Sequence, residues 1–301
     1  MEKLPNLIEP WFLFSLIWSV GGSCENDGRK KYSEWLRAKV ASKPDLIKMN
    51  FPEEGLVYDF MVDDGGIFDE VDEDEEEEHK IKPIQWKNWM TDLPELLLSN
   101  DTKFSDIIVP TIDNVRNAFL VELLLKNDKT VLCVGPTGTG KTLTIVDKLT
   151  RSMPKDFSPE FLNFSAKTSA NQTQDLIDSK LDKRRKGIFG PPLGKYFVFF
   201  IDDLNMPALE IYGAQPPIEL IRQWMDFKGW YDRKAVGEFR NLVDINFCCA
   251  MGPPGGGRNA VTLRLTRHFN HLSFVEMEDE SMRKIFGTIL KWWTSKLNFF
   301  A

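Results

Sequence analysis

Eight consecutive residues, G-P-T-G-T-G-K-T at Gly135–Thr142, constrain the fold of this chain more than any other part of its sequence. They satisfy the pattern G-x-x-x-x-G-K-[ST] without a mismatch, and a short apolar run, Val131–Val134, precedes them. A loop of this kind, between a strand and a helix that starts near Lys141, folds its backbone around phosphate groups and aims N–H groups at them. The sequence therefore predicts a phosphate-binding loop on an α/β scaffold.

The residue types in this loop predict a site for a nucleotide with a divalent cation. Lys141 is expected to reach the β- and γ-phosphates, and the hydroxyl of Thr142 is expected to bind Mg²⁺. The glycines allow the backbone to approach the phosphates closely. The predicted nucleotide-binding residues are Gly135, Pro136, Thr137, Gly138, Thr139, Gly140, Lys141, Thr142 and Leu143.

A buried strand that ends in two aspartates supplies the second half of such a site. The run Tyr196–Ile201 is apolar throughout, and Asp202, 61 residues after Lys141, follows it together with Asp203. Asp202 is expected to hold Mg²⁺ through water, and Asp203 takes the position where P-loop ATPases usually place a glutamate that orients the attacking water. Aspartate is one methylene shorter than glutamate, and moving a catalytic carboxylate back by about 1 Å can lower the rate of hydrolysis on the order of 10²-fold. The competing interpretation is an aspartate pair that only caps the next turn.

Short apolar runs alternate with helical patterns along the rest of the chain. This alternation is typical of a parallel sheet covered by helices, so we expect an α/β P-loop NTPase fold. The further strands are predicted at Phe161–Phe164, Ile245–Ala250 and His271–Val275, and the helices at Asn114–Lys126, Gln172–Leu181, Pro217–Phe227 and Ser281–Leu297.

The first hundred residues predict a mixed N-terminal appendage. Trp11–Val20 is a largely apolar run of ten residues, which is too short to span a bilayer, so it indicates a buried helix that stops at Gly21. Lys30–Val40 predicts an amphipathic helix, and Gly55–Asp63 predicts an edge strand. The segment before Trp11 lacks the positive charge of a signal peptide, so an intracellular protein is expected.

Charge is concentrated in one segment of the chain. Asp63–Glu78 contains eleven acidic residues and no basic one, whereas the formal net charge of the whole chain is −7. The rest of the chain is close to neutral and gives no support for nucleic-acid binding. Like charges repel, so this segment is expected to be a solvated loop, with binding of a basic partner as the alternative. The four cysteines form no C-x-x-C pair, which predicts free thiols.

Two arginines follow a glycine-rich loop, Met251–Asn259, near the end of the chain. Arg264 and Arg267 are three residues apart and share one face of a helical turn. Their guanidinium groups could bind phosphates of this chain, phosphates of another subunit or neighbouring carboxylates. No N-K-x-D guanine signature follows the phosphate-binding loop, which argues against a GTPase.

In combination, four motifs resemble the third AAA+ module of an axonemal dynein heavy chain: G-P-T-G-T-G-K-T, F-F-I-D-D-L-N-M-P, C-A-M-G-P-P-G-G-G-R-N and L-T-R-H-F. The N-terminal run P-W-F-L-F-S-L-I-W-S-V-G-G-S-C is similar to the end of the preceding module's small subdomain. The resemblance implies four segments: residues 1–45 end that small subdomain, 46–103 connect the modules, 104–277 form the large subdomain of the AAA+ module, and 278–301 start its own small subdomain.

The resemblance also implies roles for single residues. Asp203 and Lys141 would be catalytic, and Arg264 or Arg267 matches the arginine finger, which reaches the nucleotide of the preceding module. The basic run Lys183–Lys186 would lie on a hairpin insertion, with a nuclear-localisation or nucleic-acid patch as the alternative. The residues that match the family's adenine pocket are Ile107, Ile108 and Pro110.

Two departures from the family pattern predict slow hydrolysis. Met251-Gly252 stands where a polar sensor asparagine is common, and the helical lid is expected beyond Ala301. The resemblance therefore implies a regulatory ATP or ADP site with Mg²⁺ in a motor ring that acts on microtubules of the cytoplasm, cytoskeleton and ciliary or flagellar axoneme. The expected partners are neighbouring AAA+ modules, dynein intermediate and light chains and microtubules, with neither nucleic acid nor membrane. The alternatives are a free-standing P-loop phosphotransferase and a structural ring segment without turnover.

Overall fold

The chain folds as two units, residues 1–116 with 277–301 and residues 117–276. The structure, a computed structural model, describes residues 4–66, 83–94, 96–99 and 101–296. Most of the acidic run that is predicted to be a solvated loop, residues 67–78, lies outside the described residues. Among those that are described, no helix is long and apolar enough to cross a membrane.

A five-stranded parallel sheet organises the second unit. The predicted strands are confirmed, although the strand predicted at Phe161–Phe164 begins four residues earlier, because its first half is only partly buried and lacks a strong apolar pattern. Every neighbouring pair of strands is parallel. With strands numbered along the chain, the order across the sheet is β11 (Asn270–Ser273), β3 (Val131–Val134), β10 (Ile245–Met251), β7 (Tyr196–Asp202) and β4 (Phe157–Asn163).

Helices of the second unit follow the strands as the sequence predicts. The helix predicted at Gln172–Leu181 begins two residues earlier, because the Ser169 side chain accepts from the backbone N–H of Gln172 while the Gln172 side chain accepts from that of Ser169. The helices are α3 (Ile112–Lys126, shared with the first unit), α4 (Lys141–Asp147, continued by a π-helical turn at Lys148–Ser152), α5 (Ala170–Asp178), α6 (Pro216–Phe227) and α7 (Leu263–Thr266).

A second, four-stranded sheet contains two strands that the sequence analysis did not predict, β8 (Gly229–Tyr231) and β9 (Phe239–Leu242). They are too short to show a periodic pattern. The basic run does lie on a hairpin, since β5 (Asp182–Arg185) pairs antiparallel with β6 (Ile188–Gly190). At Gly229 a Cβ atom would lie 2.0 Å from the carbonyl oxygen of Arg240, so only glycine allows β8 and β9 to approach this closely.

The first unit contains helices and a two-stranded antiparallel sheet. A helix does cover the predicted Trp11–Val20 and stops before Gly21, but it begins seven residues earlier, at Leu4. The prediction that it is buried is wrong for one face, where Phe12 and Val20 are 62% and 57% exposed, because successive residues of a helix point to different sides even when the whole run is apolar. The strand predicted at Gly55–Asp63 is wrong in its first half, because the Asp59 carboxylate accepts from the backbone N–H of Leu56 and closes a 3-10 turn. The elements are α1 (Leu4–Val20), α2 (Asn26–Ala41), β1 (Phe60–Asp63), β2 (Gln85–Asn88) and α8 (Asp279–Lys296).

Aromatic rings fill the core between the parallel sheet and α6. The Phe247 ring on β10 stacks on Phe199 of β7 with centroids 5.6 Å apart, and it meets Trp224 of α6 edge-on at 4.9 Å. All three side chains are buried. Cys133, Cys248 and Cys249 are buried free thiols on β3 and β10, and Cys24 is also free, which confirms the predicted thiol state. The central strands are thus held by buried aromatic packing.

Replacement of Phe247 by alanine is expected to lower the free energy of unfolding by about 3 to 5 kcal/mol, because a fully buried ring is lost and a cavity remains. Urea denaturation followed by circular dichroism measures this change. Phe227→Ala is the matched control, since its ring is 66% exposed and its loss is expected to cost under about 1 kcal/mol. Equal losses in the two variants would contradict the packing described above.

Candidate functional site

The phosphate-binding motif connects the carboxyl end of β3 to the start of α4. Gly138 and Gly140 have φ angles of +87° and +75°, in the left-handed region. Glycine adopts these angles without the steric penalty that a Cβ atom brings. The loop conformation therefore depends on Gly140, which the pattern fixes, and on Gly138, which stands at one of its variable positions.

Gly135 lies against a neighbouring chain segment. Its N–H donates to the carbonyl oxygen of Met251 over 3.2 Å, at the end of β10. A Cβ atom at this position would lie 2.0 Å from the carbonyl oxygen of Phe274, just after β11. The first glycine of the motif thus allows the loop to leave the sheet between two flanking segments.

The Lys141 ammonium folds over its own loop. Its Nζ donates to the carbonyl oxygens of Gly135 and Pro136 over 2.7 and 2.6 Å. Burial lowers the pKa of Lys141, the carboxylate of Asp202 opposes that shift, and the positive charge of Arg258 adds to it. A phosphate group would offer this partly desolvated cation a stronger acceptor than two neutral carbonyls.

The two predicted metal ligands are in direct contact. Thr142 Oγ1, in the first turn of α4, donates to Asp202 Oδ2 at the end of β7 over 2.6 Å. Hydroxyl and carboxylate oxygens are the hard donors that Mg²⁺ prefers, and Mg²⁺ commonly binds one or two carboxylates plus substrate phosphates. The donor set at the edge of the sheet therefore fits a nucleotide-bound magnesium ion.

Asp203 takes an uncommon backbone conformation, with φ at +51°. Asp is one of the few side chains found there regularly, and its N–H donates to Asp202 Oδ1 over 2.9 Å. The turn separates the two carboxylates and directs Asp203 toward the loop after β10. Nη2 of Arg258 lies 3.4 Å from Asp203 Oδ1.

Arg258 has no role among the residues predicted from the sequence, although it lies in the motif C-A-M-G-P-P-G-G-G-R-N. One sequence signal could have identified it. Arg258 is the one basic residue in the glycine-rich loop Met251–Asn259, and this loop follows a strand that is predicted to be buried and to end near the phosphate site. Its contact with Asp203 is tertiary, because the two residues are 55 positions apart.

The two predicted finger arginines contact carboxylates of α6. Arg264 lies 3.6 Å from Glu219, and Arg267 donates to Asp226 over 2.9 Å. Both arginines are more than half exposed. The sequence left three kinds of partner open: phosphates of this chain, phosphates of another subunit and neighbouring carboxylates. The structure shows both arginines beside neighbouring carboxylates. A role toward the nucleotide of another module remains a prediction.

The remaining predicted site residues stay predictions as well. Ile107, Ile108 and Pro110 are partly buried in the extended segment before α3, and they belong to the first unit. Leu143, in the first turn of α4, is half exposed. In the part of the chain that the structure describes, no cluster of three or more His, Cys, Asp or Glu residues could hold a metal ion by itself.

Residues 97–277 match the protein family described as the P-loop containing dynein motor region. Residues 1–72 match the dynein heavy chain AAA lid domain. Together with the five-stranded parallel sheet, the first match confirms the predicted fold class, an α/β P-loop fold of the AAA+ type with an N-terminal appendage.

Similar curated proteins are axonemal dynein heavy chains. Dynein axonemal heavy chain 1 of Mus musculus is 60% identical over 297 residues, which cover 99% of this chain and 7% of that protein. Dynein axonemal heavy chain 12 of Rattus norvegicus is 46% identical over 303 residues, 96% of this chain and 9% of that protein. Dynein axonemal heavy chain 3 of Mus musculus is 44% identical over 293 residues, 93% and 7% respectively. The chain thus spans less than a tenth of these relatives.

Replacement of Gly135 by alanine is expected to lower the thermal midpoint of unfolding, because the added Cβ meets a backbone oxygen and overpacking of this kind costs about 1 to 3 kcal/mol. Differential scanning fluorimetry measures the midpoint. Gly287→Ala is the control: apart from its chain neighbours and its own helix backbone, no described atom lies within 4 Å of a Cβ there, and alanine favours the helix. Equal midpoints for wild type and Gly135→Ala would contradict the close approach.

Proposed function

The chain belongs to the dynein heavy chain family, and on that premise we propose that it binds ATP or ADP with Mg²⁺ as an AAA+ module of a dynein motor ring. The contact of Thr142 with Asp202 carries this proposal, because it joins the phosphate-binding loop to the strand-end carboxylate at 2.6 Å. Bound Mg²⁺ would supply charge neutralisation of the phosphates. Lys141 would bind the β- and γ-phosphates, and Asp202 would orient the ion's water ligands.

We propose further that this site is regulatory, with slow hydrolysis. The water-orienting position carries Asp203, one methylene shorter than the usual glutamate, and its carboxylate faces Arg258. Met251-Gly252 provides no polar side chain at the end of β10. A site with these features hydrolyses ATP slowly and therefore holds ATP or ADP for long periods. Its nucleotide state can then govern neighbouring modules.

The assignment to the third module and the segment boundaries belong to the same proposal. Residues 1–45 would end the preceding small subdomain, 46–103 would connect the modules, 104–277 would form the large subdomain, and 278–301 would begin the next small subdomain. Arg264 or Arg267 would act on the nucleotide of the preceding module. Ile107, Ile108 and Pro110 would line the adenine pocket.

The partners and location follow from this assignment. We propose that the complete protein acts on microtubules in the axoneme of cilia or flagella, which are cytoskeletal structures of the cytoplasm. This chain would contact the neighbouring AAA+ modules of the same polypeptide, while intermediate and light chains and microtubules would bind other parts of the protein.

Two alternative functions predict different behaviour. A free-standing P-loop phosphotransferase would lose ATP faster when a second substrate is added. A structural ring segment would bind nucleotide without turnover, and loss of that binding would leave the ring's behaviour unchanged.

Lys141→Ala is expected to weaken equilibrium binding of fluorescent ATP and ADP with Mg²⁺ by at least about tenfold, because the charged donor to the phosphates is lost. Lys126→Ala is the matched control, since this lysine pairs with Glu122 on the same unit. Its affinity should equal that of wild type. Tight binding by Lys141→Ala would refute the assignment of the loop.

Asp203→Glu is expected to raise the rate constant of ATP hydrolysis by about ten- to a hundredfold, because the longer side chain restores the reach of the carboxylate. Glutamate tolerates the φ of +51° less well, so stability should fall slightly while the rate rises. Single-turnover phosphate release measures the rate, with the isosteric Asp203→Asn as a control that should be slower. A wild-type rate of many turnovers per second would contradict the regulatory site.

A further inference from the structure

Arg258 extends from the loop after β10 to the predicted water-orienting carboxylate. The 3.4 Å between its Nη2 and Asp203 Oδ1 is longer than the distance of about 2.7 to 2.9 Å in a tight charge-assisted hydrogen bond. The Arg258 side chain is 25% exposed and that of Asp203 is 45% exposed. The pair is therefore loosely joined, and the guanidinium is able to exchange Asp203 for a better acceptor.

Gly252 makes room for this guanidinium. A Cβ atom at Gly252 would lie 2.7 Å from Nε and 2.8 Å from Cδ of Arg258. The backbone of Gly252 is outside the left-handed region, so its conformation is open to other residues and the missing side chain serves the packing of Arg258. The carbonyl oxygen of Gly252 accepts from Asn205 Nδ2 over 2.9 Å, which holds this part of the loop.

Arg258 has more N–H donors than the described residues provide acceptors for. Its Nε is buried and has no hydrogen-bond partner among the described residues. A guanidinium has five N–H donors in a planar fork that matches phosphate oxygens, and an unpaired buried donor costs free energy. The positive charges of Arg258 and Lys141 also repel each other. A phosphate placed between the two cations would relieve the repulsion and satisfy the donors.

We propose that Arg258 senses the γ-phosphate of the nucleotide bound to this chain itself. This inference rests on the proposed nucleotide site. Arg258 pairs with Asp203 while the γ-phosphate is absent, and it transfers to a γ-phosphate oxygen when ATP is bound. The transfer frees the Asp203 carboxylate to orient water. Arg258 thereby gives the loop after β10 a side chain that senses the nucleotide. Met251 and Gly252, at the end of β10, provide no polar side chain for that role.

The affinity ratio between a β,γ-imido analogue of ATP and ADP tests this proposal, with Mg²⁺ and the 301-residue chain. Arg258→Gln is expected to weaken binding of the analogue by at least about tenfold while ADP binding changes by less than about twofold, because only the analogue carries a γ-phosphate. Arg258→Lys should recover part of the loss, since it keeps the charge without the fork. Arg233→Gln, which removes an arginine paired with Asp175 on the same unit, is the control and should bind both nucleotides like wild type.

A second variant moves the guanidinium without removing it. Gly252→Ala places a Cβ where Arg258 now packs, and it should lower the same affinity ratio with the arginine still present. ADP binding by each variant shows that the loop remains folded. Equal losses for both nucleotides, or an unchanged ratio in Arg258→Gln, would overturn the sensing role while leaving the proposed function intact. Failure of the wild-type chain to bind either nucleotide would overturn the proposed function and, with it, this inference.

Discussion

Parallel pairing of β10 with both β3 and β7 is the constraint on which the site depends. Met251 of β10 lies opposite Val134 of β3, and Cys249 lies opposite Ile201 of β7. Because parallel strands end at one edge of a sheet, this register brings the phosphate-binding loop, the strand-end aspartates and the loop after β10 to the same edge. The contacts of Gly135 with Met251, of Thr142 with Asp202 and of Arg258 with Asp203 follow from that alignment.

The core maintains the alignment through packing. Strands β7 and β10 are apolar over almost their whole length and buried on both faces, as the inner strands of a helix-covered parallel sheet must be. Their aromatic side chains bind the sheet to α6, and α6 in turn provides Glu219 and Asp226 as partners of the two finger arginines. The same helix therefore supports the sheet and restrains the arginines that follow it.

Charge at the edge of the sheet is balanced locally. Lys141 and Arg258 face Asp202 and Asp203, so two positive and two negative groups share a small region. Most hydrogen bonds at this edge are short, whereas the pair of Arg258 with Asp203 is long, at 3.4 Å. This long pair is the contact that the proposed nucleotide-sensing role of Arg258 would exchange.

Local patterns in the sequence determined the elements and the motif. The apolar runs of β3, β7 and β10 and the glycines of the phosphate-binding loop carry their own signal, because burial on both faces and positive φ angles select residue types directly. The short strands β8 and β9 and the 3-10 turn before β1 carry no such signal, since a few residues show no period and Asp59 closes the turn through its side chain. Only the tertiary structure decided that Arg258 faces Asp203 and that Arg264 and Arg267 face α6, because those contacts join residues far apart in the chain, and sequence separation says nothing about which charges meet.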